Sequence, residues 1–283
     1  MQIELRNISF SYRSKQRVSE VFRDLSLVFA SGEAVGILGR EGSGKSTLLQ
    51  LLAGLQRPQQ GEVLVGEKAP WELNQWTEFR KKIGILFQFP EQQFFQETVE
   101  REVGFSMRNF GVSRDQEKEK CWQVLRLVGF EPEIIAQKSP FTLSIGEARK
   151  IAFASILVMN PKLLLLDEPT AGLDAHGVDA MMDILHQLRR RGTTIIIVSH
   201  DTNLLAEIAA RIIVLAGGKV AFDGTANTLY RDKNLLANYG YDQPETVRCA
   251  HLLRKKGMVM EDRLYGADEL LSLAKPGPAS RIR

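Results

Sequence analysis

With 283 residues, of which 44% are hydrophobic and 25% are charged, the chain is long enough to bury a large core and to form one or two domains. The composition is that of an ordinary soluble globular protein. Lysine and arginine are spread among aspartate and glutamate and leave a net charge of only +3. This gives no basic face for duplex nucleic acid, so no nucleic-acid partner is expected.

The chain begins with two stretches in which apolar and polar side chains alternate, at residues 3–12 and 21–29. Alternation of this kind predicts a small antiparallel sheet at the N-terminus. Tyr12 stands where the first strand is expected to end. An aromatic ring at this point could stack on a nucleotide base or simply pack against its neighbours, and spacing alone leaves both interpretations open.

Residues 39–47 match the pattern G-x-x-x-x-G-K-[ST] in full. An apolar run at 34–38 precedes the glycines and leucines with helical spacing follow them, so strand, loop and helix come in the order that a phosphate-binding loop requires. The alternative is a structural glycine turn, which these flanking elements disfavour. The loop predicts nucleotide contacts from backbone N–H groups, a lysine ammonium and a hydroxyl that can bind Mg²⁺. The residues concerned are Gly39, Gly42, Ser43, Gly44, Lys45, Ser46 and Thr47.

A short strand is expected at residues 63–65 and a buried one at 83–87, directly before Gln88. From about residue 97 to 139 the composition becomes that of helices, with Thr98 and Ser113 as candidate N-caps. This stretch predicts a separate helical lobe.

Two continuous apolar runs follow, at 163–166 and 194–198, and each ends in polar residues. Runs of this kind are typical of parallel strands that are buried on both faces and open on a ligand at their carboxyl ends. Asp167 is then suited to hold Mg²⁺ opposite Ser46, and Glu168 to orient or deprotonate the attacking water. His200 is expected to sense the γ-phosphate. The alternatives are a plain turn at the two acids and a structural histidine.

Residues 178–188 fit a crossover helix between these strands, and the arginines at 189–191 are expected to complement its dipole. A hairpin is predicted around residues 216–219, followed by helical fragments near Leu235 and at 251–256 and by a frayed tail at 275–278. The cysteines at 121 and 249 lie far apart, which indicates neither a zinc site nor a disulfide framework and fits a reducing compartment. The first residues are not those of a signal peptide, and no apolar run approaches the ~20 residues of a membrane span.

In their order along the chain these motifs resemble those of ATP-binding cassette (ABC) ATPases. The resemblance covers residues 1–224 and adds a signature region at 143–147 and a D-loop at 171–174. It implies an α/β P-loop NTPase with a mostly parallel sheet core, an N-terminal antiparallel β subdomain, an inserted helical subdomain at about 89–160 and a small helical extension at 225–283. It implies ATP and Mg²⁺ as cofactors. Tyr12 would stack on adenine, Gln88 would join Mg²⁺ and the attacking water to the transmembrane contact, and Ser144, Gly146 and Asp174 would complete the nucleotide site.

Within this family, residues 87–95, Thr98, Val99 and the stretch 235–257 resemble the ATPase subunits of energy-coupling factor (ECF) importers of vitamins and transition-metal ions. Such subunits sit in pairs on the cytoplasmic face of the membrane, bind a transmembrane coupling (T) component and serve a separate substrate-binding membrane (S) component. The last 60 residues would then help to hold two ATPases together. The alternative is a terminal helix pair that packs only on its own core.

Two other functions are weighed against ATP-driven import. A non-transport ABC ATPase acting on nucleic acid or the ribosome usually carries a long coiled coil or a second cassette, and the sequence shows neither. A nucleotide-binding module without activity is disfavoured because Lys45, Asp167, Glu168 and His200 are all intact. In such an importer, the contacts with the transported substrate would lie on another chain.

The signature region departs from the family's Leu-Ser-Gly-Gly-Gln at Ile145 and Glu147. In the family this loop caps the γ-phosphate of the ATP bound to the opposite subunit. A β-branched residue restricts backbone angles and hinders a close approach to phosphate, although Ser144 and Glu147 still form a capping-box pattern. We therefore expect a heterodimer with a paralogous ATPase, in which the site built on Lys45 does most of the hydrolysis.

The segment from Phe89 to Glu102 is predicted to receive the membrane partner. It combines two phenylalanines with four acids, and so offers an apolar anchor and carboxylates for arginines of a coupling helix. The rival interpretation is the start of a self-contained amphipathic helix. The residues are Phe94, Phe95, Glu91, Glu97, Glu100 and Glu102.

Overall fold

The structure is a computed structural model that describes residues 1–14, 18–66, 68–69, 71, 76–258 and 267–274. Its strands are β1 (Ile3–Arg13), β2 (Val18–Phe29), β3 (Ala34–Gly39), β4 (Gln60–Val65), β5 (Ile83–Leu86), β6 (Leu163–Asp167), β7 (Thr194–Val198), β8 (Arg211–Ala216) and β9 (Lys219–Thr225). Its helices are α1 (Lys45–Leu52), α2 (Trp76–Arg80), α3 (Val99–Asn109), α4 (Arg114–Leu127), α5 (Pro132–Ile135), α6 (Ile145–Leu157), α7 (Ala175–Arg190), α8 (Thr202–Ile208), α9 (Ala226–Arg231), α10 (Lys233–Asn238), α11 (Glu245–Lys255) and α12 (Ala267–Ala274). Single turns of 3-10 helix lie at Pro90–Gln93 and Pro140–Thr142.

The strands form two sheets, and they confirm the predicted fold class. A three-stranded antiparallel sheet has the order β2-β1-β4, and a six-stranded sheet has the order β5-β6-β7-β3-β8-β9. Every pair in the larger sheet is parallel except β8 with β9. This is a mixed α/β architecture in which non-consecutive strands meet through helical crossovers.

The central strands of the larger sheet are buried along their whole length. The leucines at 163–166 in β6 are all 0% exposed, and every residue of β3 and β7 is buried as well. Continuous apolar sequence is stable here because layers cover both faces of the sheet. Truncating one of these leucines to alanine would cost about 2–5 kcal/mol. The polar residues that follow β3, β6 and β7 are thereby fixed at one edge.

The helices α3 to α6 occupy the stretch in which the sequence predicts a helical lobe. Thr98 caps α3, where its side-chain oxygen accepts a hydrogen bond from the backbone N–H of Arg101, a contact worth about 1 kcal/mol. Ser113 precedes α4, but its side chain makes no capping bond to that helix in the described part of the chain. Buried side chains such as Cys121 and Phe153 join these helices to the main core.

The predicted hairpin turn consists of Gly217 and Gly218, with φ of 56° and 73°. Positive φ at both central positions matches the twist of the flanking strands and favours glycine. A Cβ on Gly218 would lie 2.2 Å from the carbonyl oxygen of Val21, so the turn also packs tightly against β2.

After β9 the chain is helical, as the sequence predicts around Leu235 and at 251–256. Tyr230 and Leu236 belong to the main core, whereas α11 and α12 pack on each other through Ala250 and Leu270. The tail expected at 275–278 lies outside the described residues. None of the helices that the structure describes is both long enough and apolar enough to cross a membrane.

Candidate active site

The carboxyl ends of β3, β6 and β7 meet around a cleft of about 740 Å³. Parallel strands bring distant parts of the sequence together in this way because their carboxyl ends share one edge of the sheet. Most residues that the sequence singled out line this cleft: Tyr12, Gly39, Gly42, Gly44, Lys45, Ser46, Thr47, Gln88, Asp167, Glu168 and His200. Ser43 lies in the same loop, and its side chain is buried.

The glycine-rich loop wraps around the ammonium group of Lys45. Its Nζ donates to the carbonyl oxygens of Gly39, at 2.5 Å, and of Arg40, at 3.0 Å. Burial lowers the pKa of Lys45, while the charges of Glu168, Asp167 and Glu41 oppose that shift. A Cβ on Gly39 would lie 2.6 Å from the carbonyl oxygen of Leu215, so only glycine fits there. A mobile cation at the start of α1 can bind the phosphates of a nucleotide.

Ser46 and Asp167 face each other across the cleft, with Ser46 Oγ donating to Asp167 Oδ2 at 2.8 Å. Burial raises the pKa of Asp167, and the neighbouring charge of Glu168 adds to this shift, whereas the hydrogen bond from Ser46 and the charge of Lys45 oppose it. A hydroxyl and a carboxylate that converge at this distance are the hard oxygen ligands that Mg²⁺ takes from proteins.

The Glu168 carboxylate is held by residues that follow β7. Its Oε1 accepts from the backbone N–H of His200 at 3.0 Å and lies 2.8 Å from His200 Nδ1, while Ser199 Oγ donates to Oε2 at 3.0 Å. Glu168 has a φ of 49°, an uncommon conformation for a non-glycine residue that the surrounding contacts maintain. The His200 side chain is 76% exposed, which excludes the structural core role.

Tyr12 lines the cleft with its aromatic ring partly exposed, and Gln88 lines the same cleft. The Tyr12 hydroxyl contacts Thr47 Oγ1 at 3.2 Å and donates to Gln50 Oε1 at 3.1 Å, and 42% of the residue is exposed. Phe10 supports the ring edge-on, with 5.0 Å between ring centroids. The ring therefore packs on one side and is open to the cleft on the other.

Three residues that the sequence assigns to nucleotide binding, namely Ser144, Gly146 and Asp174, are described by the structure but do not line this cleft. Ser144 caps α6 and Asp174 caps α7 through the backbone N–H of Gly177 at 2.7 Å. The two caps are neighbours, since a Cβ on Gly146 would lie 3.3 Å from the carbonyl oxygen of Gly172. Together they form a second surface, separate from the cleft.

The sequence interpretation missed Arg149, which is only 2% exposed. Its guanidinium donates to the backbone carbonyl oxygens of Glu168 and Gln88, and so ties α6 to both of the segments that carry these residues. In the sequence, Arg149 could have been noticed because it lies beside Ala148 and Ala152 on a helix face that is otherwise apolar. A charged residue in that position is expected to have a specific partner.

Tyr239, Gly240 and Tyr241 also line the cleft and were not predicted to do so. They follow α10, more than 190 residues after the glycine-rich loop. No local pattern in the sequence marks them. Ser199 was likewise missed, although it lies between β7 and His200 and binds Glu168.

The arrangement can transfer a phosphoryl group to water. Backbone N–H groups and Lys45 could bind the phosphates, the Ser46–Asp167 pair could hold a metal ion and Glu168 could orient the attacking water. In such reactions the protein contributes positioning and charge stabilisation rather than covalent chemistry.

Comparison with known proteins agrees with this geometry. Residues 22–171 match the sequence model of the ABC transporter family. The energy-coupling factor transporter ATP-binding protein EcfA3 of Oenococcus oeni is 38% identical over 278 residues, which are 96% of this chain and 95% of that protein. CbiO1 of Clostridium perfringens, part of the ABC transporter complex cbiONQ, is 30% identical with a TM-score of 0.70 over 83% of this chain and 93% of that one. The dimeric cassette MJ0796 bound to ADP and Pi is 28% identical with a TM-score of 0.73 over 79% and 98%.

Proposed function

Since this chain belongs to the ABC transporter family, and within it to the energy-coupling factor transporter ATP-binding proteins, we propose that the cleft described above hydrolyses Mg-ATP to drive an importer of vitamins or transition-metal ions. The chain is an ATPase whose reaction is coupled to transport. Residues 1–224 would form the ATPase domain, with a helical subdomain at about 89–160, and residues 225–283 would help to hold two ATPases together.

The observation that carries this proposal is the position of the Glu168 carboxylate. It is fixed by Ser199 and His200 and directly follows Asp167, whose carboxylate contacts Ser46. A carboxylate held beside a metal-binding pair can accept the proton of the attacking water, whereas an amide in its place cannot. Lys45 lies near enough for the charge of Glu168 to act on its pKa.

Mg²⁺ would be held by Ser46 Oγ and the Asp167 carboxylate, with Gln88 at the same cleft. Within the described residues, no cluster of three or more His, Cys, Asp or Glu side chains could hold a metal ion. This fits Mg²⁺, which commonly takes one or two protein ligands and completes its octahedron with phosphate oxygens and water. When bound, the ion would neutralise charge on the phosphates during transfer.

The test is Glu168→Gln in the transporter purified with its membrane subunits. We expect ATP binding within about twofold of the wild type and turnover lower by roughly 10²–10⁴-fold, the range for loss of a general base. Substrate uptake into vesicles should fall in parallel. Near-normal turnover in this variant would show that Glu168 is not the residue that activates water.

In the assembled transporter the chain would lie at the cytoplasmic face of the membrane, bound to a second ATPase, a coupling (T) component and a substrate-binding (S) component. The similarity to an ECF ATPase and to a dimeric cassette supports a paired ATPase in a membrane complex. A role on nucleic acid or the ribosome is not favoured, because these relatives are transporter subunits and the net charge is only +3.

The coupling component would dock on Phe89, Phe95 and Glu97. Phe89 and Phe95 are 53% and 56% exposed, and Phe105 supports the Phe95 ring edge-on at 4.6 Å between centroids. Glu97 is exposed and contacts Arg101 at 2.8 Å. Exposed rings next to an accessible carboxylate offer an anchor and a charge partner to an arginine-bearing helix.

The other three acids of this segment are buried or half-buried, and two of them accept hydrogen bonds within the chain. Glu102 accepts from the backbone N–H groups of Phe95 and Gln96, and Glu100 accepts from Trp122 and Gln137. Glu91 Oε2 is buried without a hydrogen-bond partner among the described residues, and its charge acts on Arg149. These carboxylates hold the segment in shape, so Glu97 is the acid best placed to meet a partner.

The second ATPase would be a paralogue, because the signature loop of this chain is altered. The Ser144 hydroxyl donates to Glu147 Oε2 at 2.7 Å, and the backbone N–H of Ser144 donates to the same oxygen at 2.9 Å. These hydrogen bonds hold the pKa of Glu147 below its usual range and so keep it ionised. A carboxylate on Ser144 and an exposed Ile145 would both oppose the approach of a γ-phosphate from the partner's site.

A further inference from the structure

Residues 239–244 connect α10 to α11, and Tyr239, Gly240 and Tyr241 of this connection line the nucleotide cleft. The carbonyl oxygen of Asp242 accepts from Thr202 Oγ1 at 3.2 Å, and the backbone N–H of Glu245 donates to Asn203 Oδ1 at 2.7 Å. Thr202 and Asn203 begin α8, two and three residues after His200. The connection is therefore bound on one side to the element that follows the histidine.

On its other side the connection is bound to the glycine-rich loop by a single hydroxyl group. Tyr241 Oη accepts from the backbone N–H of Gly39 at 2.9 Å and donates to the carbonyl oxygen of Gly39 at 2.8 Å. Both backbone groups of one residue thus share one partner, 202 positions later in the sequence. A tyrosine hydroxyl is protonated at neutral pH and can donate, and burial raises the pKa of Tyr241 further.

The carbonyl oxygen of Gly39 has two donors, Tyr241 Oη at 2.8 Å and Lys45 Nζ at 2.5 Å. A bound triphosphate attracts the Lys45 ammonium more strongly than a neutral carbonyl does. When Lys45 turns to the phosphates, Tyr241 still satisfies the carbonyl. A buried acceptor left without a donor is destabilising, so the tyrosine hydroxyl makes the movement of Lys45 easier.

We propose that Tyr241 is a positioning residue of the nucleotide site: its hydroxyl holds the Gly39 peptide while Lys45 moves to the phosphates, and nucleotide affinity therefore depends on docking of residues 239–244. This inference rests on the proposed function, because it presupposes a nucleotide at Lys45. Since the docked connection leads directly into α11, a displacement of the C-terminal helices would act on the phosphate-binding loop through Tyr241.

The test is Tyr241→Phe in the full chain, with Tyr239→Phe as a matched control. Tyr239 lies in the same connection and also lines the cleft, but its hydroxyl donates to the carbonyl oxygen of Ala221 in β9, at 3.1 Å. Each substitution removes one hydroxyl and keeps the ring. Binding is measured with a fluorescent ATP analogue, and turnover is measured in the complete transporter.

We expect Tyr241→Phe to weaken binding of the analogue by about three- to tenfold, the effect of one to two net hydrogen bonds. The KM for ATP should rise in proportion while kcat stays within about twofold, because Glu168 and Asp167 are untouched. Amide hydrogen exchange in residues 39–45 should become faster in this variant alone. Tyr239→Phe should leave affinity, KM and exchange within about twofold of the wild type.

Equal weakening by the two substitutions would overturn the assignment, because the whole connection and not the Tyr241 hydroxyl would then matter. Unchanged affinity and unchanged exchange in Tyr241→Phe would also overturn it. Lys45→Ala separates this inference from the proposed function. If Lys45→Ala binds the analogue normally, the nucleotide site itself is wrong; if it loses binding while Tyr241→Phe is normal, only the role of Tyr241 fails.

Discussion

Individual residues determine how two surfaces of this chain, the cleft and the surface around Ser144, would interact with a phosphate. Lys45 and Glu168 have hydrogen-bond partners within the cleft. On the other surface, the hydroxyl of Ser144 is already hydrogen-bonded to Glu147. The Ser144–Glu147 pair is a complete capping box, so it stabilises the start of α6 and holds a carboxylate beside the serine that we propose for phosphate binding. The charge of that carboxylate would repel a phosphate that approaches Ser144.

The negative charge of Glu147 and the side chain of Ile145 predict a gain of function from restoring the signature loop. Glu147→Gln combined with Ile145→Gly should raise the ATPase rate of this chain as a homodimer by at least about tenfold, because a hydrogen bond to a charged phosphate contributes about 1.5–3 kcal/mol. Glutamine preserves the capping box, so Glu147→Gln alone is the control that removes the charge without disturbing the helix. An unchanged rate with an unchanged melting temperature would show that this loop does not limit hydrolysis.

At the scale of elements, α6 connects the catalytic cleft to the surface proposed for docking. Arg149 in α6 binds the backbone carbonyls of Glu168 and Gln88, and the 3-10 turn after Gln88 leads to Phe95 and Glu97. The carboxylate of Glu102, buried in α3, fixes the backbone between them. A displacement of the docking segment would therefore also displace Gln88, because the backbone that connects them is packed and held by hydrogen bonds.

The docking segment gives a prediction with matched controls. Phe95→Ser and Glu97→Lys should each lower recovery of the membrane complex, by about tenfold when combined, while ATP binding by the isolated chain is unchanged. The controls are Ile134→Ser and Glu133→Lys on α5, where Ile134 is 60% exposed and Glu133 contacts Arg126 at 3.0 Å. Recovery can be measured by co-purification from detergent-solubilised membranes. Equal losses from the control pair would indicate that any charge or polarity change in the helical lobe disturbs assembly.

At the scale of the whole molecule, the cleft and the signature surface lie on different parts of one chain. We propose that a nucleotide at Lys45 meets the signature loop of a second ATPase, because the loop of this chain does not line its own cleft and the related cassette MJ0796 is dimeric. With an intact cleft and an altered loop, the two sites of a heterodimer would be unequal. The cleft of this chain would be the more active one.

We expect the same substitution to lower turnover by different amounts in the two ATPases of the pair. Glu168→Gln in this chain should remove most turnover of the assembled pair, by more than about tenfold, and the corresponding change in the partner ATPase should cost about twofold or less. The measurement is steady-state ATP hydrolysis by the two singly substituted complexes, prepared alike. Equal losses, or a fully active homodimer of this chain alone, would contradict the asymmetry.

The fold class and most residues of the candidate site could be predicted from the sequence. This was possible because the features concerned are local: a glycine loop between a strand and a helix, acids after an apolar strand and a histidine after another. Parallel pairing then leaves little freedom, since strands that carry polar residues at their carboxyl ends must bring those residues to one edge. Lys45, Asp167, Glu168 and His200 could all be placed in this way.

Contacts between elements that are far apart in the chain could not be predicted from the sequence and became visible only in the folded structure. The Tyr241–Gly39 pair, the two carbonyl partners of Arg149 and the burial of Glu91 Oε2 and of Glu102 depend on how helices pack on the sheet. Periodicity can say that a side chain is buried, but the identity of its partner depends on the distances that packing sets. From the sequence, Glu102 would therefore be interpreted as a surface acid, whereas in the folded protein its carboxylate holds the backbone in place.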